Sequence, residues 1–479
     1  MGVPSNAVSK NQSNSAREVL LLLDEQMAGP LHDRLRRAVR AAIASGRLPA
    51  GSTLPPSRTL AADLGCSRWV VTEAYAQLAA EGYLESRAGS ATRVRSSAGS
   101  AATRTAPLAP LPPLPRFDFA PGLPDLRAFP RQHWSAAVHR VGLRAPHPDF
   151  GHLEPAGHRD LRRTLAQHLV RSRGAAVTPN DTTICAGTTD AVTRIARALR
   201  ACGVTHVAVE EPGWPGTRKA INDAGLVPVP IDVDGDGLQV DPLRTQPRIQ
   251  AVVVAPSHQF PTGTVLAPTR RAELIAWADA VDGIILEDDK DADFRYDRRP
   301  VAAMQGMAPA RVALLGSLSK TLSPALRIGW FTVPPRWATA IRTANPMELP
   351  PPVLDQLAFA ALLENGVYDR HLRASRRRYR TRRDSLMAEL SQKLPSARVS
   401  GAAAGLHLLL HLEDADAADV VALAARDGVR VGNLADYHTA TEPAESTLVV
   451  GYGNLADSGI NEAVDRLARA IERVTAMHV

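Results

Sequence analysis

The stretch RSSAGSAATRTAPLAPLPPLPR, Arg95 to Arg116, carries no acid and consists mostly of Ala, Ser, Thr and Pro. It cannot bury enough apolar surface to offset the entropy of ordering, and its Pro-rich half is expected to be extended and semi-rigid. It therefore divides the 479-residue chain, which is too long for one ordinary core. The division read from it is a first domain over 15–94, a linker over 95–116 and a large domain over 117–479, with a smaller subdomain from about 346. Composition adds that 45% of residues are hydrophobic, enough for both parts to bury cores. The formal charge of +7 is compatible with a polyanionic partner but does not identify one. Val19–Leu23 is far too short to cross a bilayer, and the polar N-terminus has no apolar signal core. Cys66, Cys185 and Cys202 are scattered, with no metal-ligand pair and no disulfide framework. The expectation is a cytoplasmic protein with no metal site and no membrane contact.

The first part reads as helix, helix-turn-helix and hairpin. Leu31, Leu35, Val39, Ala42 and Ile43 form a helical stripe over Leu31–Ser45. Ser57 is placed to cap a helix over Arg58–Leu64, ended by Gly65, and Ser67 to cap a second over Arg68–Ala80. Gly82–Leu84 and Thr92–Val94 read as two strands around Arg87–Ser90. A winged helix follows from this order. Its second helix would present its N-terminal residues to the DNA major groove. Arg68 suits phosphate or a bidentate contact to guanine, Arg58 a phosphate clamp, and Arg87 and Arg93 flank the wing. The DNA-contact candidates are Arg58, Ser67, Arg68, Thr72, Arg87, Gly89 and Arg93. Twelve basic groups against eight acids in 1–95 agree with a polyanionic partner. The bland alternative is a solvated helical domain with surface arginines.

After the linker, short apolar strands such as Val207–Val209, Ala251–Val254, Ile284–Leu286 and Val312–Leu315 alternate with helical stretches. Strands apolar on all sides predict a parallel sheet covered on both faces. Beyond Pro346 the pattern changes to a long helix, three strands and a final helix over Ser458–Thr475, a smaller α+β layer. The chain has only five lysines, at 10, 219, 290, 320 and 393. Lys320 alone follows an apolar strand with Ser317 and Ser319 before it and Arg327 after it. Those groups can converge on a phosphate while the lysine forms a Schiff base with an aldehyde cofactor. Gly187-Thr188 before a helix is a natural phosphate cradle. Asp288, after a strand, can pair with a pyridinium nitrogen, and Trp214 can stack on its ring. Each of these also has an ordinary reading, as a cap, a loop acid or a structural turn. Their order along an α/β chain favours pyridoxal 5'-phosphate.

GRLPAGSTLPPSRTLAADLGCSRWVVTEAYAQLAAEGYLESRAGSATRV resembles the winged helix of GntR-type regulators, over nearly all of 31–94. PGLPDLRAFPRQHW, PSHQFPTGTVL, EDDKDADFRYDRRP and GSLSKTLSPALRIGW resemble fold type I aminotransferases, over roughly 117–475. Together they are similar to the MocR family of GntR-type regulators. The resemblance implies Lys320 as the Schiff-base lysine, Asp288 as the pyridinium partner, and Ser317, Ser319, Arg327 and Gly187-Thr188 as the phosphate site. It also implies a double-stranded DNA operator, a small-molecule effector and a head-to-tail homodimer, each winged helix lying against the partner's large domain.

Five positions depart from the family. Trp69-Val70 replaces Asn-Thr in the recognition helix, and Ala91 replaces a wing glycine. Lys290 stands where a tyrosine donates to the cofactor's phenolic oxygen. Val449 stands where aminotransferases carry the arginine that grips a substrate α-carboxylate; the nearest arginine in sequence is Arg430. The expectation is a regulator with vestigial or absent turnover that senses pyridoxal phosphate or an amine reacting with it, the cofactor itself being preferred. The rivals are a working aminotransferase with an appended DNA module and a relic without cofactor. The basic run Arg373–Arg383 reads as a solvated helix face.

Overall fold

The computed structural model describes residues 29–85, 91–95, 114–152, 154–296, 301–347, 349–401, 404–439 and 446–478. Contacts divide the chain after Pro113 into two compact units.

In the first unit, helices Leu31–Ala44, Ser57–Asp63 and Arg68–Ala80 precede strands β1 (Leu84–Glu85) and β2 (Arg93–Val94). The helical stripe supplies Leu35, Val39, Ala42 and Ile43 to a core completed by Leu60, Val71, Tyr75, Leu78, Leu84 and Val94. Fully burying an aliphatic side chain of this size contributes about 1.5–3 kcal/mol. Tyr75 also donates to the Pro55 carbonyl at 3.0 Å, which satisfies its buried hydroxyl. Antiparallel pairing of Leu84 with Val94 closes the hairpin. The expected Ser57 cap is corrected. Pro56 takes the cap position, with no side-chain cap bond, and Ser57 is already helical. Proline fixes the extended backbone just before the helix, so it starts one residue early.

The second unit is built on an eight-stranded sheet. Its strands, in chain order, are β4 (Thr182–Cys185), β5 (His206–Glu211), β6 (Val227–Asp234), β7 (Gly237–Leu238), β8 (Ile249–Val254), β9 (Ile284–Asp288), β10 (Val312–Ser317) and β11 (Gly329–Thr332). They lie side by side in the order β4-β11-β10-β9-β8-β5-β6-β7. Alternate residues face opposite sides. Val207, Val209, Ala251, Val253, Leu286 and Leu315 pack in one core, and Ala208, Val252, Val254 and Ile285 in another. This two-sided burial is why these strands read as unbroken apolar runs. The expected parallel sheet holds for its centre but not throughout. β11 runs antiparallel between β10 and β4, and β7 antiparallel to β6. The segment between β10 and β11 forms only a tight turn and a short 3-10 turn, not the helical crossover a parallel return needs.

A second sheet has the order β12-β13-β15-β14-β3, with β3 (Phe117–Phe119), β12 (Arg398–Ser400), β13 (His407–His411), β14 (Val429–Asn433) and β15 (Thr447–Gly451). This smaller layer is not confined to the C-terminal stretch, because β3 from the start of the unit pairs parallel with β14. The long helix Val367–Lys393 packs through Tyr368, Leu372, Tyr379, Leu386 and Leu390. Arg382 lies on that same buried face. It donates to Asp125 at 2.8 Å, to Asp457 at 2.6 Å and to the carbonyls of Tyr452 and Gly453. The solvated-face reading of this basic run fits exposed Arg373, Arg377 and Arg380 but not Arg382.

Candidate cofactor and DNA sites

β4, β5, β8, β9 and β10 all point the same way, so their carboxyl ends meet at one edge of the sheet. Ligands in open α/β sheets bind at that edge. The sequence then delivers Gly187-Thr188 after β4, Trp214 after β5, Phe260 after β8, Asp288 and Lys290 at the end of β9, and Ser317 and Lys320 at the end of β10. A cavity of about 270 Å³ opens there, lined by Gly122, Thr188, Thr189, Trp214, Phe260, Lys290, Ser317, Ser319 and Lys320 among others.

Lys320 is buried, and its Nζ donates to Asp291 Oδ2 at 2.7 Å. Burial lowers the Lys320 pKa, and although Asp291 opposes this, the net shift is downward. Burial would raise the Asp291 carboxyl, but Lys320 and His258 outweigh it and hold it well below the usual range. A lysine kept easy to deprotonate can supply the neutral amine that attacks a carbonyl.

Gly187 takes the cap position of helix Thr188–Ala201, at φ 128°, with no side chain capping the first turn. Gly329 lies against it, and a Cβ there would stand 2.5 Å from Gly187 Cα, so β11 needs glycine at this point. Ser317 and Ser319 line the same cavity as Thr188 and add hydroxyls to it. Arg327 is exposed, in a left-handed conformation at φ 52°, and does not figure among the cavity-lining residues. Trp214 is 44% exposed, stands edge-on to Phe260 and is stacked near Tyr437.

The acids Glu287, Asp288 and Asp289 separate by strand alternation. Glu287 accepts from the Met304 and Gln305 amides, and Asp289 takes a bidentate pair from Arg173 at 2.6 and 2.7 Å. Asp288 faces the other way with Lys290, whose Nζ lies 2.5 Å from Asp288 Oδ2. Asp288 Oδ1 is buried and has no hydrogen-bond partner among the described residues. An orphaned carboxylate oxygen, a lysine on an acid, free helix N–H groups and paired hydroxyls suit the ring nitrogen, aldehyde and phosphate of pyridoxal phosphate.

Sequence reasoning missed several buried groups here. Asp291 holds Lys320, and His258 Nδ1 lies 3.6 Å from Asp291 Oδ2. His407 is pushed down to about 3, mainly by burial and then by His258 and Lys320. Glu210 is pushed up to about 8, mainly by burial, despite accepting from the Ala255 amide. The PSHQFPTG run carried the signal for His258 and Phe260, and the acid run carried Asp291. Val449 is fully buried in an apolar cluster with Phe260, Leu409, Leu434 and Tyr437. Arg430 is tied by two hydrogen bonds to Asp118.

In the first unit, Arg58, Ser67, Arg68, Thr72 and Arg93 are all exposed. Arg68 Nε lies 3.3 Å from Ser57 Oγ, which brings the starts of the two central helices together. Ser67 stands at the cap position but makes no side-chain cap bond. Trp69 is 62% exposed and edge-on to His32. Arg87 and Gly89 lie outside the described residues.

Residues 31–94 match the model for bacterial regulatory proteins of the gntR family, and 124–467 match aminotransferase class I and II. The class so defined is a winged-helix regulator carrying an aminotransferase-like unit. The chain is 34% identical to the probable rhizopine catabolism regulatory protein MocR of Rhizobium meliloti, over 94% of this chain and 96% of that protein. It is 31% identical to the pyridoxine biosynthesis transcriptional regulator PdxR of Corynebacterium glutamicum, over 91% and 95%. It belongs to the MocR family of GntR-type transcriptional regulators. Among solved structures, an archaeal alanine:glyoxylate aminotransferase superposes with a TM-score of 0.68 at 24% identity, covering 74% of this chain and 91% of that one. LysN, an α-aminoadipate aminotransferase of Thermus thermophilus, gives 0.67 at 23%, covering 75% and 93%. These likenesses concern the fold. No helix among the described residues is long and apolar enough to cross a membrane.

Proposed function

We propose that the chain regulates transcription as a cytoplasmic, DNA-binding head-to-tail homodimer that holds pyridoxal phosphate through Lys320 and takes that cofactor itself as effector. The observation that carries this reading is the Lys320–Asp291 pair, buried beside the orphaned Asp288 Oδ1 at the carboxyl edge of the sheet. When bound, the cofactor supplies an aldehyde that captures amines and a ring that draws electrons. Lys320 is the group that bonds to it, and Asp291 orients the lysine. Thr188, Ser317, Ser319 and the first N–H groups of helix Thr188–Ala201 are the phosphate donors. Arg327 is a further candidate for that set, close enough to the end of β4 for its charge to act on Cys185. Asp288, through its orphaned oxygen, would be the partner of the ring nitrogen, Lys290 would donate to the phenolic oxygen, and Trp214 would stack on the ring.

A second ligand with an α-carboxylate needs a cationic grip, normally a bidentate arginine. Val449 is packed in an apolar cluster, and Arg430 is committed to Asp118. This favours the cofactor over an amino acid as the sensed molecule. It also disfavours turnover. Steady transamination of an amino donor with a keto acceptor would replace this reading with the enzyme reading.

The DNA face comprises Arg58, Ser67, Arg68, Thr72, Arg87, Gly89 and Arg93 in a domain over 15–94, followed by a linker over 95–116 and the effector domain over 117–479. Arg68→Ala costs about 1–3 kcal/mol of operator binding if it reads a base. Arg58→Ala weakens binding to all sequences and lowers the salt slope by about 1, as loss of one phosphate contact requires. Binding titrations across salt concentrations check both. Unchanged affinity in both folded variants removes these residues from the DNA face.

A further inference from the structure

The position of Lys290 bears on the charge state of whatever occupies the cavity. The two-residue repeat of β9 continues past its end, so Asp288 and Lys290 share a side and form an ion pair at 2.5 Å. Lys290 lines both the main cavity and a narrow pocket behind it, whereas Asp288 lines only the narrow one. The remaining charged groups are already matched. Lys320 pairs with Asp291 on one side, and Arg173 with Asp289 on the opposite face of the strand. Glu210, in the narrow pocket, is kept in its neutral form at neutral pH by burial and adds no second anion. Burial acts to discharge Lys290, but the charge and hydrogen bond of Asp288, with the charge of Asp291 behind them, outweigh it, so the ammonium persists.

We propose that Lys290 neutralises Asp288 and thereby leaves the ring nitrogen of bound pyridoxal phosphate unprotonated at neutral pH. This rests on the reading that the cavity holds that cofactor. A ring nitrogen keeps its proton when it faces an unpaired buried carboxylate, because the proton completes a charge pair in a medium of low dielectric. Here the carboxylate already has its cation. A second positive charge beside Asp288 Oδ1 would set two cations against this one carboxylate. Replacing Lys290 by a neutral side chain removes that cation, and the ring nitrogen then takes a proton from solvent to balance Asp288. An unprotonated ring draws electrons weakly, so a lysine at position 290 favours holding the cofactor over turning it over.

The test uses full-length protein loaded with pyridoxal phosphate carrying an isotope-labelled ring nitrogen. Nitrogen NMR distinguishes pyridine from pyridinium directly. Wild type is expected to show the pyridine signal at neutral pH, while Lys290→Gln and Lys290→Met show the pyridinium signal. The wild-type measurement stands even if one variant fails to fold. A pyridinium signal in wild type overturns the inference. So does a pyridine signal that persists in a folded, loaded variant. Failure of wild type to retain the cofactor is a different outcome, and it overturns the cofactor reading itself.

Discussion

Lys320→Ala is expected to abolish the borohydride-reducible adduct with pyridoxal phosphate completely. Among the lysines of the described residues, only Lys290 and Lys320 line the cavity. Their surroundings separate their roles. Lys290 is held in its charged form by Asp288, and an ammonium has no lone pair with which to attack a carbonyl. Lys320 has its pKa lowered by burial and keeps a single acid, Asp291, to orient it and to exchange a proton. Phosphate donors from the Thr188 helix and from Ser317 and Ser319 do not depend on Lys320, so the variant should still bind the cofactor, reversibly and more weakly. Mass spectrometry of the reduced, digested protein reads the result. An adduct on Lys290 in the wild type would reverse the assignment of the two lysines.

Arg382→Met should destabilise the second unit by about 3–5 kcal/mol, the range seen when one partner of a buried ion pair is removed. Arg382 is 2% exposed and satisfies Asp125, Asp457 and two carbonyls at once. Methionine retains much of the volume, so the loss is electrostatic and not a cavity. The variant leaves Asp125, 6% exposed, without its main cation. In the wild type, burial alone would raise the Asp125 carboxyl, but the Arg382 hydrogen bond and charge prevail and hold it below its ordinary value. Its contribution is therefore present above the unfolded pKa and is lost as pH falls through the depressed folded value. Without Arg382, burial dominates, and acidification neutralises an unpaired carboxylate instead. The stability gap between wild type and variant should narrow as pH is lowered, measured by denaturant midpoints. A gap independent of pH would assign the role of Arg382 to packing.

The contrast between these two residues shows what was legible in the sequence. Lys320 stood out because lysine is scarce in this chain and because hydroxyls flank it after an apolar strand. Arg382 is one of seven arginines between 373 and 383 and looked like its neighbours. Its phase was the available signal, since it falls three residues after Tyr379 and four before Leu386 on the buried stripe. The sheet's central strands were readable because burial on both faces forces apolar residues at every position. β11 was not, because its four residues are too few to show a period, and its direction depends on the tight turn after Lys320. Asp288 and Lys290 were both singled out from sequence, but their pairing was not. It depends on where β9 ends and on which side of it the cavity opens. The winged-helix order was legible from glycines and apolar spacing, whereas the start of the Ser57–Asp63 helix was set by Pro56.

The central claim is that pyridoxal phosphate bound in the large unit changes what the winged helix does on DNA. Its most direct test is the operator affinity of cofactor-free and cofactor-loaded protein at fixed salt. The claim predicts a difference equivalent to about 1–3 kcal/mol, the usual size of an allosteric coupling. GABA or glutamate should leave both that affinity and the cofactor's absorbance nearly unchanged, since Val449 offers their carboxylate no charge. Equal affinity of the two forms, together with a clear absorbance shift on adding one amino acid, would contradict it.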